Sequence, residues 1–154
     1  MATLYLSLGT NLGDRQSNLE TAQTLIGQKI GTVNAVSEIM ETEPWGFDSP
    51  NRFLNMAVQV TTELGPRQAL LITQRIERQI GRTEKSSGRV YHDRVIDIDL
   101  LLYDDLVMDT PELTIPHPLM HKRSFVLKPL AQIAPDTEHP VLHKTIRQLA
   151  LEME

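Results

Sequence analysis

The sequence predicts an α+β fold, namely a ferredoxin-like βαββαβ antiparallel sheet with its helices, plus a C-terminal extension. Three observations predict it. Short runs of alternating apolar residues are typical of strands, two longer segments repeat apolar residues at helical spacing, and these elements follow one another as two split β-α-β units. The 154 residues suit one hydrophobic core and no linker-like segment divides them, so we expect a single domain over residues 1–154.

The first half of the chain predicts a strand, a helix and a second strand. Residues 3–9 (TLYLSLG) alternate and end at a glycine, which is typical of a strand that leads into a turn. Asp14 can cap the helix that follows, whose apolar residues recur at helical spacing as far as Ile30. Residues 33–42 (VNAVSEIMET) predict the second strand, and residues 43–51, with two prolines and a glycine, predict a loop.

The second half predicts two further strands with a helix between them. Residues 53–62 (FLNMAVQVTT) alternate as a strand does, and Pro66 begins a helix that ends at Gly81. Residues 94–105 (RVIDIDLLLYDD) predict the fourth strand. Its side chains expected to face the helices are Ile96, Ile98, Leu100 and Leu102. The tail carries six of the nine prolines and predicts turns, a short strand and short helices, the last over residues 145–153.

Composition and charge exclude several classes of protein. The formal net charge of −5 argues against a general nucleic-acid binder, and the absence of cysteine excludes disulfide scaffolds and cysteine-based metal sites. The N-terminal residues lack the basic segment and apolar core of a signal peptide, and no apolar run approaches the ~20 residues that cross a bilayer. We therefore expect a soluble, cytoplasmic protein that binds neither nucleic acid nor membrane. A monomer is also expected, although no feature of the composition determines the oligomeric state.

Two aspartates lie in the first half of the fourth strand. Because side chains alternate across a strand, Asp97 and Asp99 share one face, roughly 6–7 Å apart along the backbone. Two carboxylates this close repel each other, and a hard cation such as Mg²⁺, which commonly uses one or two carboxylates plus substrate phosphates, removes the repulsion. The alternative is an ordinary solvated strand face. Asp104 and Asp105, at the end of the strand, are typical of a turn.

A cationic segment leads directly into this strand. Its basic residues are Arg82, Lys85, Arg89 and Arg94. Cations beside a metal site suit a polyphosphate, because they neutralise the charge that spreads during phosphoryl transfer. The alternative is a solvated basic loop. The chain has no G-x-x-x-x-G-K-[ST] sequence, which excludes a P-loop enzyme, and Asn11 in GTNLG is expected to brace a neighbouring loop.

An aromatic ring and a carboxamide lie on the face of the third strand that points away from the helices. Phe53 and Asn55 share that face, and together they suit a flat heterocycle, since the ring stacks and the amide offers donors and acceptors. The alternative is that the C-terminal tail folds over this face and buries them.

Two histidine pairs occur in the tail, in HPLMH (117–121) and HPVLH (139–143). The spacing allows a zinc pair on one helical turn, but the proline after each first histidine favours a cap or turn. His117, followed by Lys122 and Arg123, is the better candidate for a phosphate contact. Glu77 lies off the apolar stripe of its helix and is a further candidate site residue. The alternative is a solvated acid that forms an ion pair with a neighbour.

Six segments, which together extend over essentially the whole chain, resemble the 6-hydroxymethyl-7,8-dihydropterin pyrophosphokinase family. The strand pattern R-x-x-D-x-D together with I-P-H-P and R-x-F-V-L-x-P-L is highly specific. The resemblance implies transfer of pyrophosphate from ATP to the hydroxymethyl group of the pterin, with release of AMP, in folate biosynthesis. The matching segments are LGTNLGDR (8–15), ETEPWG (41–46), FLNMAV (53–58), QRIERQIGR (74–82), DRVIDIDLLLYDD (93–105) and LTIPHPLMHKRSFVLKPLAQIAPD (113–136).

The resemblance also implies the roles of individual residues. Asp97 and Asp99 would bind two Mg²⁺ ions that bridge the triphosphate of ATP, the co-substrate. The residues implied around the nucleotide or its phosphates are Gln74, Glu77, Arg82, Arg94, Ile98, Thr114, His117 and Arg123, of which the two arginines at 82 and 94 are counted with the aspartates as catalytic. The residues implied for the pterin are Thr42, Trp45, Gly46, Phe53, Asn55 and Phe125, the two phenylalanines as a sandwich for the ring.

Two other functions share some of these features. A two-metal cyclase- or polymerase-type domain would use the same acids, but it does not predict aromatic and amide residues around one flat ring. A non-catalytic ligand-binding module of the same fold would need no metal. The departures from well-known members of the family concern ATP contacts and loop closure rather than the reaction class. They are Glu84, Tyr91, Glu112, Pro118 and a loop about two residues longer. We expect weaker or differently arranged contacts with the triphosphate, for which Arg89 would substitute.

Overall fold

The computed structural model describes residues 1–43, 50–81 and 95–153, which form a mixed α+β fold with an antiparallel sheet. The strands are β1 (Ala2–Thr10), β2 (Gly31–Val36), β3 (Met40–Thr42), β4 (Phe53–Thr62), β5 (Asp97–Tyr103), β6 (Met108–Asp109) and β7 (Thr114–Ile115). The helices are α1 (Arg15–Lys29), α2 (Pro66–Gly81), α3 (Ser124–Ile133) and α4 (Ile146–Glu152), with a short 3-10 turn at Met120–Lys122.

The main sheet has the order β2-β4-β1-β5, and β3 also pairs with β4. All of these pairings are antiparallel. The two central strands, β1 and β4, pair along their whole length, from Ala2 opposite Thr62 to Thr10 opposite Leu54. The predicted bounds of β4 and of α2 are confirmed residue for residue. The prediction of one continuous strand over residues 33–42 is wrong.

Ser37 explains that interruption between β2 and β3. Its backbone N–H donates to the carbonyl of Ala57, as a strand residue does, but its side-chain Oγ accepts the N–H of Ala57 at 2.8 Å. A hydroxyl therefore replaces the backbone carbonyl that would have continued the ladder. Short polar side chains compete with the backbone in this way, so the pairing stops and restarts at Met40.

One face of the sheet packs against α1 and α2. Asp14 caps α1 as predicted, its carboxylate accepting the N–H of Ser17 at 3.1 Å. The core between the sheet and these helices includes Leu4, Leu6, Leu8, Met56, Val58, Val60, Ile98 and Leu100 from the strands, Ile96 just before β5, and Leu19, Ala22, Ile26, Ala69 and Ile76 from the helices. Both helices thus lie on one face, which confirms the prediction for them.

The opposite face carries a second core, which the C-terminal segment completes. A capping box begins α4, because Thr145 and Gln148 each bond the other's backbone N–H. The members of this core are Tyr5, Ala57, Leu101, Leu102, Met120, Val126, Leu127, Leu130, Ala134, Ile146 and Leu149. The tail therefore folds over part of this face. In that part, the structure follows the alternative interpretation given for Phe53 and Asn55, in which the tail covers the face.

Leu102 faces this second core, and the prediction that it faces α1 and α2 is wrong. Along β1, Tyr5 is opposite Leu102 while Leu6 is opposite Leu100, so the register shifts at that point. The extra residue on β5 is Leu101, a β-bulge, and it turns the rest of the strand over by one position. Three consecutive leucines give no alternation from which such a shift could be predicted.

Among the residues that the structure describes, no helix has the length and apolar character needed to cross a membrane.

Truncating a core residue of α3 tests whether the C-terminal segment is part of the cooperative fold. Leu127 is fully buried in the second core, so Leu127→Ala should lower the free energy of unfolding by about 2–5 kcal/mol. Leu151 on α4 is 58% exposed, and Leu151→Ala should change it by less than about 0.5 kcal/mol. Urea unfolding followed by circular dichroism measures both. Equal, small effects would mean that α3 folds independently of the sheet.

Candidate functional site

Three residues form a row across the strands β4, β1 and β5. Gly9 on β1 is the direct partner of Asn55 on β4 and of Asp97 on β5. Directly paired residues point to the same face of a sheet, so the Asn55 and Asp97 side chains lie on one face, with the side-chain-free position of Gly9 between them. Asp99 pairs with Ser7 and follows two residues after Asp97 on that face.

The two aspartates share a face that α1 and α2 do not cover, as predicted. Both are half-buried, whereas Ile98 between them is 4% exposed and belongs to the core on the other side. Five residues of this face that lie outside the second core are together called the open face: Gly9, Phe53, Asn55, Asp97 and Asp99. Phe53 is half-buried, so the tail covers the neighbouring Ala57 and leaves the open face as a possible site.

The carboxamide of Asn55 is held in a fixed orientation. The side chain is 3% exposed, and its Nδ2 donates to the Oγ1 of Thr42 at 2.7 Å. Thr42 is positioned for this because β3 pairs with β4, with Thr42 opposite Phe53. The amide oxygen Oδ1 consequently lies beside Gly9, where it can accept an N–H from a heterocycle.

Asn18 and Thr10 brace the entrance to β5, and the sequence analysis missed both. The Nδ2 of Asn18 lies 3.2 Å from the Oγ1 of Thr10 and 3.1 Å from the carbonyl of Val95, and the Thr10 hydroxyl also donates to that carbonyl. These contacts fix the backbone two residues before Asp97. A signal was present, because Asn18 is one helical turn before the buried Ala22 on α1.

Asn11 and Glu77 also hold backbone segments around the site. Asn11 Nδ2 donates to the carbonyl of Asn51 at 3.2 Å, which confirms that it braces a neighbouring loop. The carboxylate of Glu77 accepts the N–H of Ile98 at 2.8 Å, on the edge of the sheet between the two aspartates. Glu77 is therefore not simply a solvated acid. With its side chain buried on the helical side, Ile98 can offer a nucleotide on the open face only its backbone.

His117 is held against the strand that carries the aspartates. Its backbone N–H donates to the carbonyl of Leu101 at 3.0 Å, and its Nδ1 accepts the N–H of Leu119 at 3.1 Å. The ring proton of the neutral histidine is therefore on Nε2. Burial and, secondarily, the positive charge of Arg123 lower the pKa of His117 to about 4, although the Asp97 carboxylate opposes them. At neutral pH His117 is an uncharged donor.

Arg123 and Phe125 lie at the start of α3, near His117. Arg123 is buried, and its guanidinium carbon is 5.7 Å from the centre of the Phe125 ring, a cation–π distance. Phe125 is half-buried and packs against the second core. The charges of Arg123 and Asp97 both act on His117, so the structure brings these three predicted residues into one neighbourhood.

The remaining predicted residues are placed separately or lie outside the described ranges. Thr114, on β7, donates from its Oγ1 to Asp109 at 3.2 Å, and Gln74 is half-buried on α2. Four predicted site residues lie outside the described residues, namely Trp45, Gly46, Arg82 and Arg94. Lys85 and Arg89 of the basic segment also lie outside them.

The histidine pairs cap turns, which confirms that alternative. His139 Nδ1 accepts the backbone N–H groups of Val141 and Leu142, just as His117 accepts that of Leu119. Burial lowers the pKa of His139, and the neighbouring His121 and His143 lower it further. Within residues 1–43, 50–81 and 95–153, no three histidine, aspartate or glutamate side chains are grouped to hold a metal ion.

Comparisons with known proteins point to one family. The family model described as 7,8-dihydro-6-hydroxymethylpterin-pyrophosphokinase (HPPK) matches residues 5–135. A 2-amino-4-hydroxy-6-hydroxymethyldihydropteridine pyrophosphokinase of Porphyromonas gingivalis is 52% identical over 136 residues, which are 88% of this chain and 92% of the relative. The enzyme of the same name from Bacillus subtilis is 42% identical over 135 residues, 87% of this chain and 79% of that protein.

Longer proteins contain a similar segment. The folic acid synthesis protein FOL1 of Dictyostelium discoideum is 37% identical over 150 residues, which are 97% of this chain but 22% of that protein. The wild-type HPPK-DHPS of Plasmodium falciparum has a crystal structure that superposes with a TM-score of 0.81, covering 98% of this chain and 44% of the longer one. At 18% identity, that likeness shows a shared fold alone.

The tautomer and charge of His117 can be measured directly. Nitrogen-15 chemical shifts of the ring, followed from pH 8 down to pH 4, should show a ring that keeps its proton on Nε2 and stays neutral until the pH approaches 4, and His117→Gln identifies the signals. Because the unfolded chain takes up this proton near pH 6.5 and the folded chain near 4, His117 should destabilise the fold as the pH falls through that window. A midpoint near 6.5, or a proton on Nδ1, would contradict the geometry.

Proposed function

The chain belongs to the 7,8-dihydro-6-hydroxymethylpterin pyrophosphokinase family, and we propose how the residues of its open face perform that family's reaction. The chain is an ATP-dependent pyrophosphokinase of folate biosynthesis, which transfers pyrophosphate from ATP to the hydroxymethyl group of 6-hydroxymethyl-7,8-dihydropterin. The observation that carries the proposal is the row of Asn55, Gly9 and Asp97, because it places a group that can recognise a heterocycle beside one that can bind a metal.

Asp97 and Asp99 are the proposed ligands of two Mg²⁺ ions. Their half-buried carboxylates supply the oxygen atoms that Mg²⁺ prefers, and the described residues offer no third acidic or histidine ligand beside them. That donor set fits a cation that completes its coordination with phosphate oxygens and water. When bound, the metal would supply positive charge that stabilises the triphosphate in the transition state. The β1 register fixes both carboxylates for this task.

Asn55 and the aromatic residues are the proposed pterin site. With its Nδ2 bound to Thr42, Asn55 presents Oδ1 as an acceptor for the N–H groups at the amide edge of the pterin. Phe53 and Phe125, both half-buried, would stack on the ring. Trp45 and Gly46, from the segment outside the described residues, are proposed to complete this pocket.

Cationic and neutral donors near Asp97 are proposed to bind the phosphates. The Nε2–H of His117 and the guanidinium of Arg123 are suitable, since the one is an uncharged donor and the other stays charged. Arg82 and Arg94 are proposed to add charge during transfer. The remaining ATP contacts proposed from the sequence are Gln74, Glu77, the backbone of Ile98, and Thr114.

The pterin hydroxyl would attack the β-phosphorus in line. The bond between that phosphorus and the oxygen of AMP would break, and AMP would leave. The residues of the open face contribute mainly by holding the hydroxyl and the phosphorus in line, an effect of orientation. We propose Asp97 as the acceptor of the hydroxyl proton, because it is the carboxylate in the row of Asn55, Gly9 and Asp97.

The finer features of the fold and assembly belong to the same proposal. The element order β1-α1-β2-β3-β4-α2-β5, in which β2 and β3 are the two parts of one interrupted strand, and the strand order β2-β4-β1-β5 support a ferredoxin-like sheet, with β6 to α4 as a C-terminal extension. Packing of α3 against the second face supports one domain over residues 1–154. A monomeric state, a cytoplasmic location and the absence of nucleic-acid and membrane partners stay predictions.

Removing one proposed metal ligand tests the site. Asp97→Ala should lower kcat by on the order of 10³-fold, because the charge that holds the metal and triphosphate is lost. Its thermal stability should stay close to that of the wild type, since the carboxylate is half-buried. AMP release from ATP in the presence of Mg²⁺ and 6-hydroxymethyl-7,8-dihydropterin measures the rate. Wild-type turnover in this variant would refute the metal assignment.

The matched control is Asp105→Ala, which removes an exposed acid in the turn just after β5 and should leave the rate unchanged. The same reaction mixture separates the competing functions. A cyclase would form a cyclic nucleotide instead of AMP, and a non-catalytic module would bind ATP without the tightening by Mg²⁺ that the proposed site requires.

A further inference from the structure

Gly9 interrupts an otherwise buried stretch in the centre of the sheet. All other residues from Leu4 to Asn11 are buried, whereas Gly9 is half-buried, so its backbone is accessible from one side. Glycine weakens the interior of a strand because it has no side chain to pack, and a glycine there often marks close approach of a ligand or of another backbone.

Two other glycines of the chain have structural reasons that Gly9 lacks. Gly13 has a φ of +72°, which favours glycine, and a Cβ on Gly31 would lie 2.1 Å from the carbonyl oxygen of Thr61. Gly9 has neither problem. Its φ is outside the left-handed region, and the nearest atoms to the added Cβ belong to side chains rather than backbone, namely Asn55 Oδ1 at 3.2 Å and the Phe53 ring at 3.6 Å. The fold itself would therefore accept an alanine with a small adjustment.

The space that Gly9 leaves is bordered by the residues assigned to the pterin and to the metal. Asn55 and Asp97 are its direct partners on either side, and neighbouring strands are about 4.8 Å apart, so these two residues are separated by about 10 Å. A bicyclic ring that bonds to Asn55 while its hydroxymethyl arm reaches the metal at Asp97 must pass over Gly9. Its contact there would be with backbone.

We propose that Gly9 is a specificity-determining residue, whose missing side chain forms the floor of the slot that admits the pterin. This inference rests on the proposed pterin site. A methyl group at position 9 would enter the slot from below and press on Asn55 Oδ1, the acceptor for the amide edge of the ring. Its three nearest heavy atoms belong to Asn55 and Phe53, which are assigned to the pterin and not to the nucleotide.

The test compares Gly9→Ala with Gly27→Ala. Gly9→Ala should weaken binding of 6-hydroxymethyl-7,8-dihydropterin about 10- to 100-fold, the range expected when a group is forced into a filled site. Its affinity for ATP with Mg²⁺ should stay within about twofold, and its melting temperature should not fall. Gly27 lies within α1, where a Cβ would make only an ordinary contact with Val33, so Gly27→Ala should leave both affinities unchanged. Calorimetry with a non-hydrolysable ATP analogue measures them.

A folded Gly9→Ala variant that binds the pterin as tightly as the wild type would overturn the proposal. Should the variant prove unstable, the amide signals of the wild type decide instead. On addition of the pterin, the Gly9 backbone amide and the Asn55 side-chain amide should both shift strongly, and an unmoved Gly9 beside a shifted Asn55 would refute its role. If neither moves although the wild type turns over the substrate, the pterin site itself is misplaced, and both proposals fail together.

Discussion

The pairing of β1 with its two neighbours is the constraint on which the rest of the structure depends. It places Asn55, Gly9 and Asp97 in one row, and it sends the side chains of Leu8 and Ile98 to the opposite core. Because side chains alternate with a period of two, a slip of one residue would bury the aspartate and expose the isoleucine. Burial of the apolar residues against α1 and α2 opposes such a slip. The same hydrophobic energy that stabilises the fold therefore holds the polar groups in register.

The two faces of the sheet divide stability and chemistry between them. The face against α1 and α2 carries the larger core, whereas α3 and α4 cover the other face around Ala57 and Leu101. The bulge at Leu101 increases the apolar surface there, because it turns Leu102 to the same side. The C-terminal segment also brings His117 against β5, so one segment both completes the second core and supplies a phosphate-binding candidate.

Much of this could be predicted because it is local. Alternation predicted β4, helical spacing and Pro66 predicted α2, and the D-x-D spacing placed Asp97 and Asp99 on one face. Predictions failed where a single side chain changed the backbone path, as Ser37 does between β2 and β3. The contacts of Asn18 with Val95 and of Glu77 with Ile98 join residues that are distant in the chain, and neither spacing nor residue type identified those partners.

The sequence by itself determined most of the elements, the face of each aspartate and the resemblance to the family, since periodicity and motif depend on residues close together in the chain. Only the tertiary structure decided which strands meet at Gly9, which carbonyl Asn18 fixes, and how much of the open face the tail leaves uncovered. The physical reason is that register and coverage follow from burial of surfaces contributed by distant segments. The role of Gly9 can be inferred only from the neighbours that surround it in the folded sheet.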